Sequence, residues 1–282
     1  MAFVNDRGCR LWYRIAGHGE PLVLTGGFGL LHDQYEFVVR ELARHFTVLD
    51  WNYRGAGLSD RSWPGRTFNL DRWVDDLDAI LEHLGWHDVA LWGTSTGSPV
   101  SIRYTARYQK RVRALITYPM FKADVGFRAA FNSFQSVAET FGYQALAALT
   151  SWIGCASQNV LTARGGKIAK WEEASFKRNF AIENLNETMA IFANNDLTGD
   201  LKKIKVPTLV LLGDSGNLGA KAAGVRALLD EFCRRVRHAK VQTIPRAGGT
   251  YCMIEEPAAT AAAVIRFLNT LPTKPGAGSL RR

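Results

Sequence analysis

Short apolar runs alternate with longer stretches of helical spacing along most of this 282-residue chain, and few architectures accept that rhythm. The apolar runs fall at residues 21–24, 46–49, 89–92, 114–117, 206–212 and 240–244. Helical spacing fills 35–44, 70–84, 98–108, 221–235 and 257–268. An opening hairpin is read around Asn5-Asp6-Arg7-Gly8. Strands that alternate with helices demand crossovers, and right-handed crossovers build a mostly parallel sheet with helices on its faces. The predicted class is therefore α/β. The rhythm breaks from 120 to 198, where only helical patterns occur (129–140, 143–153, 171–180, 185–192), so that stretch reads as an inserted helical cap on a core of 1–119 and 199–271. Residues 272–282, rich in Pro, Gly, Lys and Arg, read as a disordered tail.

With 47% hydrophobic residues the chain can bury a large core. No window offers the roughly 18 apolar residues a membrane span needs, and the first ten residues lack the apolar centre of a secretory signal. A soluble, cytoplasmic protein without a membrane partner is expected. Cys9, Cys155, Cys233 and Cys252 form no CxxC pair, so neither a disulfide framework nor a metal site is anticipated. The net charge of +9 comes from scattered basic residues with no readable nucleic-acid motif, so no nucleic-acid partner is expected. No phosphate-cradling loop calls for a cofactor.

Gly93-Thr94-Ser95-Thr96-Gly97 fits G-x-S-x-G, directly after a predicted strand and before a predicted helix. A side chain at either glycine would crowd the sharp turn that lifts the serine hydroxyl above the sheet. Thr25-Gly26-Gly27-Phe28 follows an earlier strand, Arg54-Gly55-Ala56-Gly57-Leu58-Ser59-Asp60 follows another, and Glu255-Glu256-Pro257 stands near the end. With these pieces in this order the chain resembles the α/β-hydrolase superfamily over nearly all of residues 3–270. The resemblance implies the α/β-hydrolase fold, Ser95 as nucleophile, and an oxyanion hole made by the backbone N–H groups of Phe28 and Thr96.

The rest of the triad departs from the family pattern. A serine needs a histidine to take its proton and a carboxylate to orient that histidine. In the family the histidine follows the last strand; here Pro245-Arg246-Ala247-Gly248-Gly249-Thr250-Tyr251 leaves Gly249 or Thr250 in that place. The acid position after the late strand falls on Gly216 or Asn217, with Asp214 nearby; Asp124 is the only acid after the strand ending at Thr117. Of the six histidines, His18, His87 and His238 precede strands, and His45 and His83 close helices that return to that same end. Active sites of parallel sheets lie at the opposite end. That leaves His32, as a displaced base or as a helix-start histidine.

Two of the three triad elements thus look replaced. The expected function is non-hydrolytic catalysis (cyclisation, lyase, rearrangement or acyl transfer) on a small hydrophobic metabolite held near the oxyanion donors. Ser95, His32 and Asp214 are the catalytic candidates, and Gly27, Thr94, Tyr118, Phe121, Trp152, Thr250 and Tyr251 the binding candidates. A serine esterase or thioesterase with a displaced base is the first alternative, and a receptor-like protein that only holds a ligand the second. Basic residues of the cap region (Lys122, Arg128, Arg164, Lys167, Lys170, Lys177, Arg178) are compatible with a carrier- or CoA-linked substrate, or with a plain solvated face. An arginine excess hints at a GC-rich bacterial genome, and a role in secondary metabolism is the corresponding expectation.

Overall fold

A computed structural model describes residues 2–123, 125–155 and 163–272. The expectation for the C-terminal tail and the candidate Asp124 lie outside the described residues. Strands β1 (Ala2–Asp6) and β2 (Cys9–Gly17) form the opening hairpin. Its turn residues Arg7 and Gly8 have φ of 51° and 78°, the left-handed backbone that a tight hairpin turn requires. Next come β3 (Glu20–Thr25), a 3-10 turn (Leu31–Tyr35), α1 (Glu36–Leu42), β4 (Phe46–Trp51), α2 (Leu70–Leu84), β5 (Val89–Gly93), α3 (Gly97–Arg107) and β6 (Val112–Thr117). Four helices follow: α4 (Val125–Gly154), α5 (Ala163–Asn179), α6 (Leu185–Ala193) and α7 (Thr198–Leu201). The chain returns to the sheet with β7 (Thr208–Ser215), α8 (Ala223–Arg235), β8 (Lys240–Gly248), α9 (Cys252–Glu255) and α10 (Pro257–Asn269).

The eight strands form one sheet in the order β1-β2-β4-β3-β5-β6-β7-β8. The β1–β2 and β2–β4 pairs are antiparallel and every other pair is parallel. Period-two alternation divides the central strands between two cores. Leu22, Leu24, Val48, Ala90 and Trp92 face Val38 and Leu42 of α1 and Val264 and Phe267 of α10. Val23, Leu49, Leu91 and Leu115 belong to the other core, with Trp73 and Leu77 of α2 and residues of α4 to α6. Asn69 caps α2 by accepting from the Arg72 amide at 2.7 Å, and Gly85 closes the helix with φ of 67°. The two helices expected at 129–140 and 143–153 form one element, α4, broken at Gly142 with φ of 78°. Its non-helical backbone there divides the two stretches of helical spacing.

Candidate active site

The parallel strands β3 and β5 end side by side, Thr25 opposite Gly93, and the two loops that leave them build the site. Ser95 sits between β5 and α3 with φ of 51°, a left-handed conformation unusual for any residue with a side chain. The flanking glycines are forced by contact: a Cβ on Gly97 would lie 2.1 Å from the Thr25 carbonyl oxygen, and one on Gly93 2.5 Å from Ser101 Oγ. Gly27 approaches Ser95 as closely, since a Cβ there would stand 2.7 Å from the Ser95 Cβ. Among the described residues, no acceptor receives the backbone N–H of Phe28 or Thr96, and no partner pairs with Thr96 Oγ1, which is buried. The Thr96 N–H also stands at the N-terminus of α3, where aligned peptide dipoles favour negative charge.

Several polar side chains fix the loop that carries Phe28. Gln34 accepts from the Gly27 amide at 2.7 Å and donates to the Thr250 carbonyl at 3.1 Å, tying this loop to the one after β8. Asn179, at the end of α5, donates to the Gly29 and Leu30 carbonyls at 3.1 and 3.0 Å. The Asn179 carbonyl in turn accepts from Gly57 at 2.6 Å, within the loop after β4. Asp33 receives Ser175 Oγ at 2.7 Å, Arg178 at 2.8 Å and Asn179 at 3.0 Å. Burial pushes the Asp33 carboxyl up, but these donors and the neighbouring His32 outweigh it and hold the pKa below the usual carboxylate range.

The cavity above Ser95 has a volume of about 70 Å³. Of the residues anticipated from sequence, Gly27, Phe28, Ser95, Thr96, Thr250 and Tyr251 line it together. The others lie elsewhere. His32 Nδ1 pairs with Asn52 Nδ2 at 3.0 Å, its Nε2 lies 3.3 Å from Asp33 Oδ1, and its ring packs on Trp12. With both nitrogens engaged there, His32 is not turned to Ser95; burial, opposed by Asp33, lowers its pKa. Asp214 lies outside the cavity, paired with Lys221 at 2.6 Å and accepting from the Arg246 amide at 2.9 Å. Tyr118 donates its hydroxyl to the Leu218 carbonyl at 2.9 Å, and Phe121 packs on Phe232. Thr94 is buried beneath the elbow, and Trp152 is half exposed outside the lining. Of the basic residues, Lys122 pairs with Glu231, Lys177 with Glu173 and Arg178 with Asp33.

In the loop after β8, Gly249 and Thr250 differ in the room around them. A Cβ on Gly249 would lie 1.6 Å from the Leu218 carbonyl oxygen, so only glycine fits there. Thr250 lines the cavity.

One carboxyl in the cavity was not anticipated. Glu172 of α5 is buried, and it accepts hydrogen bonds from Ser151 Oγ of α4 and from the Tyr251 hydroxyl. Burial pushes its pKa up to about 7 against the pull of these hydroxyls and of Thr150. Its sequence signal was helical spacing: Ile168, Glu172, Phe176 and Asn179 share one face of α5, and all are buried. An acid on such a stripe marks a buried carboxyl. Phe131, Phe134, Phe176 and Met120 give the remaining wall its apolar character.

A strained serine at the crest of a parallel sheet, two free amides beside it and a helical roof define the class of α/β proteins built on a nucleophile elbow. The family described as alpha/beta hydrolase fold matches residues 20–248, and the chain belongs to that family. It is 28% identical over 236 residues to proline iminopeptidase PfmaB of Pestalotiopsis fici, covering 76% of this chain and 82% of that one. The similarity to AB hydrolase superfamily protein YisY of Bacillus subtilis, 36% over 94 residues, spans about a third of either chain: 33% of this one and 34% of that one. Among solved structures, the enol-lactonase of Burkholderia xenovorans LB400 superposes with a TM-score of 0.79 at 21% identity, over 95% of this chain and all of that one. Among the described residues, no helix is long and apolar enough to cross a membrane.

Proposed function

We propose that this chain is a non-hydrolytic enzyme on the α/β-hydrolase fold, which holds a carbonyl group of a small hydrophobic metabolite on the Phe28 and Thr96 amides. It stabilises the oxyanion or enolate that forms there, without acylating Ser95. The observation that carries the reading is a contrast: the Phe28 and Thr96 amides have no acceptor among the described residues, while in the loop after β8 Gly249 has no room for a side chain and Thr250 lines the cavity with a hydroxyl. Preorganised donors in an apolar site stabilise developing charge with little reorganisation. Without a triad base, oxyanion hole and binding still accelerate reactions by roughly 10³ to 10⁴-fold. Cyclisation, lyase or rearrangement chemistry of a reactive biosynthetic intermediate fits that scale. A carrier- or CoA-linked substrate would have to use Lys167 and Lys170, which have no ion-pair partner among the described residues.

A second reading, a hydrolase with a displaced base, draws on the similarity to an iminopeptidase over most of both chains. Fluorophosphonate labelling of the intact protein, read by mass spectrometry with Ser95→Ala as control, separates the two. The expected result is slow labelling of the wild type. Thr250→His places an imidazole at the cavity wall and should raise the Ser95 labelling rate on the order of 10²-fold. Rapid wild-type labelling that vanishes in Ser95→Ala would overturn the proposal in favour of the hydrolase.

A further inference from the structure

We infer that Glu172 is the catalytic acid–base residue of the cavity, and that its substrate class is an enolisable hydrophobic carbonyl compound. This assignment rests on the proposed use of the oxyanion amides. Glu172 is reached from two elements: Ser151 of α4 donates to one carboxyl oxygen and Tyr251, one residue beyond the vacant histidine position, donates to the other. Tyr251 itself is fixed, because its ring fills the space where a Cβ on Gly154 would stand, 2.1 Å from its Cε2. The groups facing this carboxyl are the Thr150, Ser151 and Tyr251 hydroxyls, with the Cys155 thiol near Tyr251; no described lysine, arginine or histidine is among them. A carboxyl buried among hydroxyls with no cation is costly as a purely structural element. It is well suited to take and return a proton near neutral pH, and it lines the same cavity as Phe28, Ser95 and Thr96.

The step balances within the site. The Glu172 carboxylate takes a proton from the carbon beside the carbonyl, so a C–H bond breaks and a carboxyl O–H bond forms. The C–H electron pair becomes the C=C bond and the carbonyl π pair moves onto oxygen, where the Phe28 and Thr96 amides hold it. Return of the proton to the same carbon regenerates the carbonyl compound with exchange of that hydrogen, return to a conjugated carbon completes an isomerisation, and neither consumes an oxidant, reductant or water.

The probe is 2-tetralone in D₂O, with deuterium uptake beside its carbonyl followed by proton NMR in the presence of the full chain. The wild type should accelerate uptake over buffer. Glu172→Gln should lower that acceleration on the order of 10²-fold. No acceleration by the wild type, or an undiminished rate in folded Glu172→Gln, overturns the assignment. Loss in Glu172→Gln together with rapid fluorophosphonate labelling of Ser95 would keep Glu172 and sink the non-covalent reading instead. The pH profile gives a second, independent check that survives a misfolded Glu172 variant. Uptake should rise with pH through a midpoint near 7, where the carboxylate forms. Tyr251→Phe removes a hydrogen bond that favours the carboxylate, so the midpoint should move upward; an unmoved midpoint contradicts the assignment.

Discussion

The two sides of the Ser95 cavity differ in what their glycines are for. On the oxyanion side, Gly27, Gly93 and Gly97 clear space around a strained serine and leave two amides free. On the side of the loop after β8, Gly249 packs against the Leu218 carbonyl and Thr250 presents a hydroxyl, so the same crowding serves only to close the loop. The first arrangement keeps the parts of the family's machinery that are made of backbone. On the proposed reading, the second has replaced the part that depends on one side chain. Backbone machinery is inseparable from the fold, whereas a side chain can be exchanged without disturbing the sheet, and this asymmetry lets the fold outlive one chemistry and host another.

The sharpest way to break this comparison is to add one carbon on each side. Gly97→Ala puts a Cβ 2.1 Å from Thr25 O, and Gly249→Ala puts one 1.6 Å from Leu218 O. Both contacts are with backbone, so neither can be relieved by a side-chain rotation. Each variant should lose about 3 kcal/mol or more in urea unfolding. A Gly249→Ala protein as stable as the wild type would mean that the loop after β8 is adaptable, and position 249 would again be open to a base.

Below that in size stands the clamp that couples α5 to the oxyanion loop. Asn179→Ala strips buried partners from the Gly29 and Leu30 carbonyls and should cost about 1–3 kcal/mol. The Asp33 and His32 pair beside it adds a pH dependence whose direction is set by two lowered pKa values. A lowered histidine is stabilising while neutral, so its share is lost as pH falls below about 6.5. A lowered carboxylate contributes above about 4 and is lost as pH falls further. Acid unfolding should therefore weaken the clamp in two stages, and Asp33→Asn should flatten the lower one. An Asp33→Asn protein with the wild-type acid profile would show that the clamp does not set the stability of this side.

The same asymmetry governs how much could be read without coordinates. The sheet, the cap region and the elbow were legible because they follow from local periodicity and from glycines at fixed spacing. The free amides were legible for the same reason, since they are backbone groups of motif positions. His32 was misleading: its place in the chain suits a pocket, but Asn52, 20 residues on, and its own neighbour Asp33 take both ring nitrogens. Tyr118 and Phe121 were aromatic and near the right strand, yet they point to Leu218 and Phe232 of distant segments. Glu172 was overlooked because its partners Ser151 and Tyr251 lie 21 and 79 residues away. Its place on the apolar face of α5 was the only local sign.

The smallest expected effect concerns Asp214, the acid that stands near the family's acid position without occupying it. Its carboxylate is bound to Lys221, whose side chain is 70% exposed, and to the Arg246 amide. The Lys221 hydrogen bond, followed by that of Ser215, holds its pKa below the usual range. An exposed ion pair of this kind is worth little, typically under about 1 kcal/mol, because solvent screens the charges and two flexible side chains must be ordered. Asp214→Asn keeps an oxygen for the Arg246 amide and should change stability by less than about 0.5 kcal/mol. It should also leave 2-tetralone exchange within about twofold of the wild type, while Glu172→Gln should lower it on the order of 10²-fold. A loss of exchange in Asp214→Asn comparable to that in Glu172→Gln would place the working acid on the sheet rather than in α5, and the division between a backbone-built side and a side-chain-built side would no longer hold.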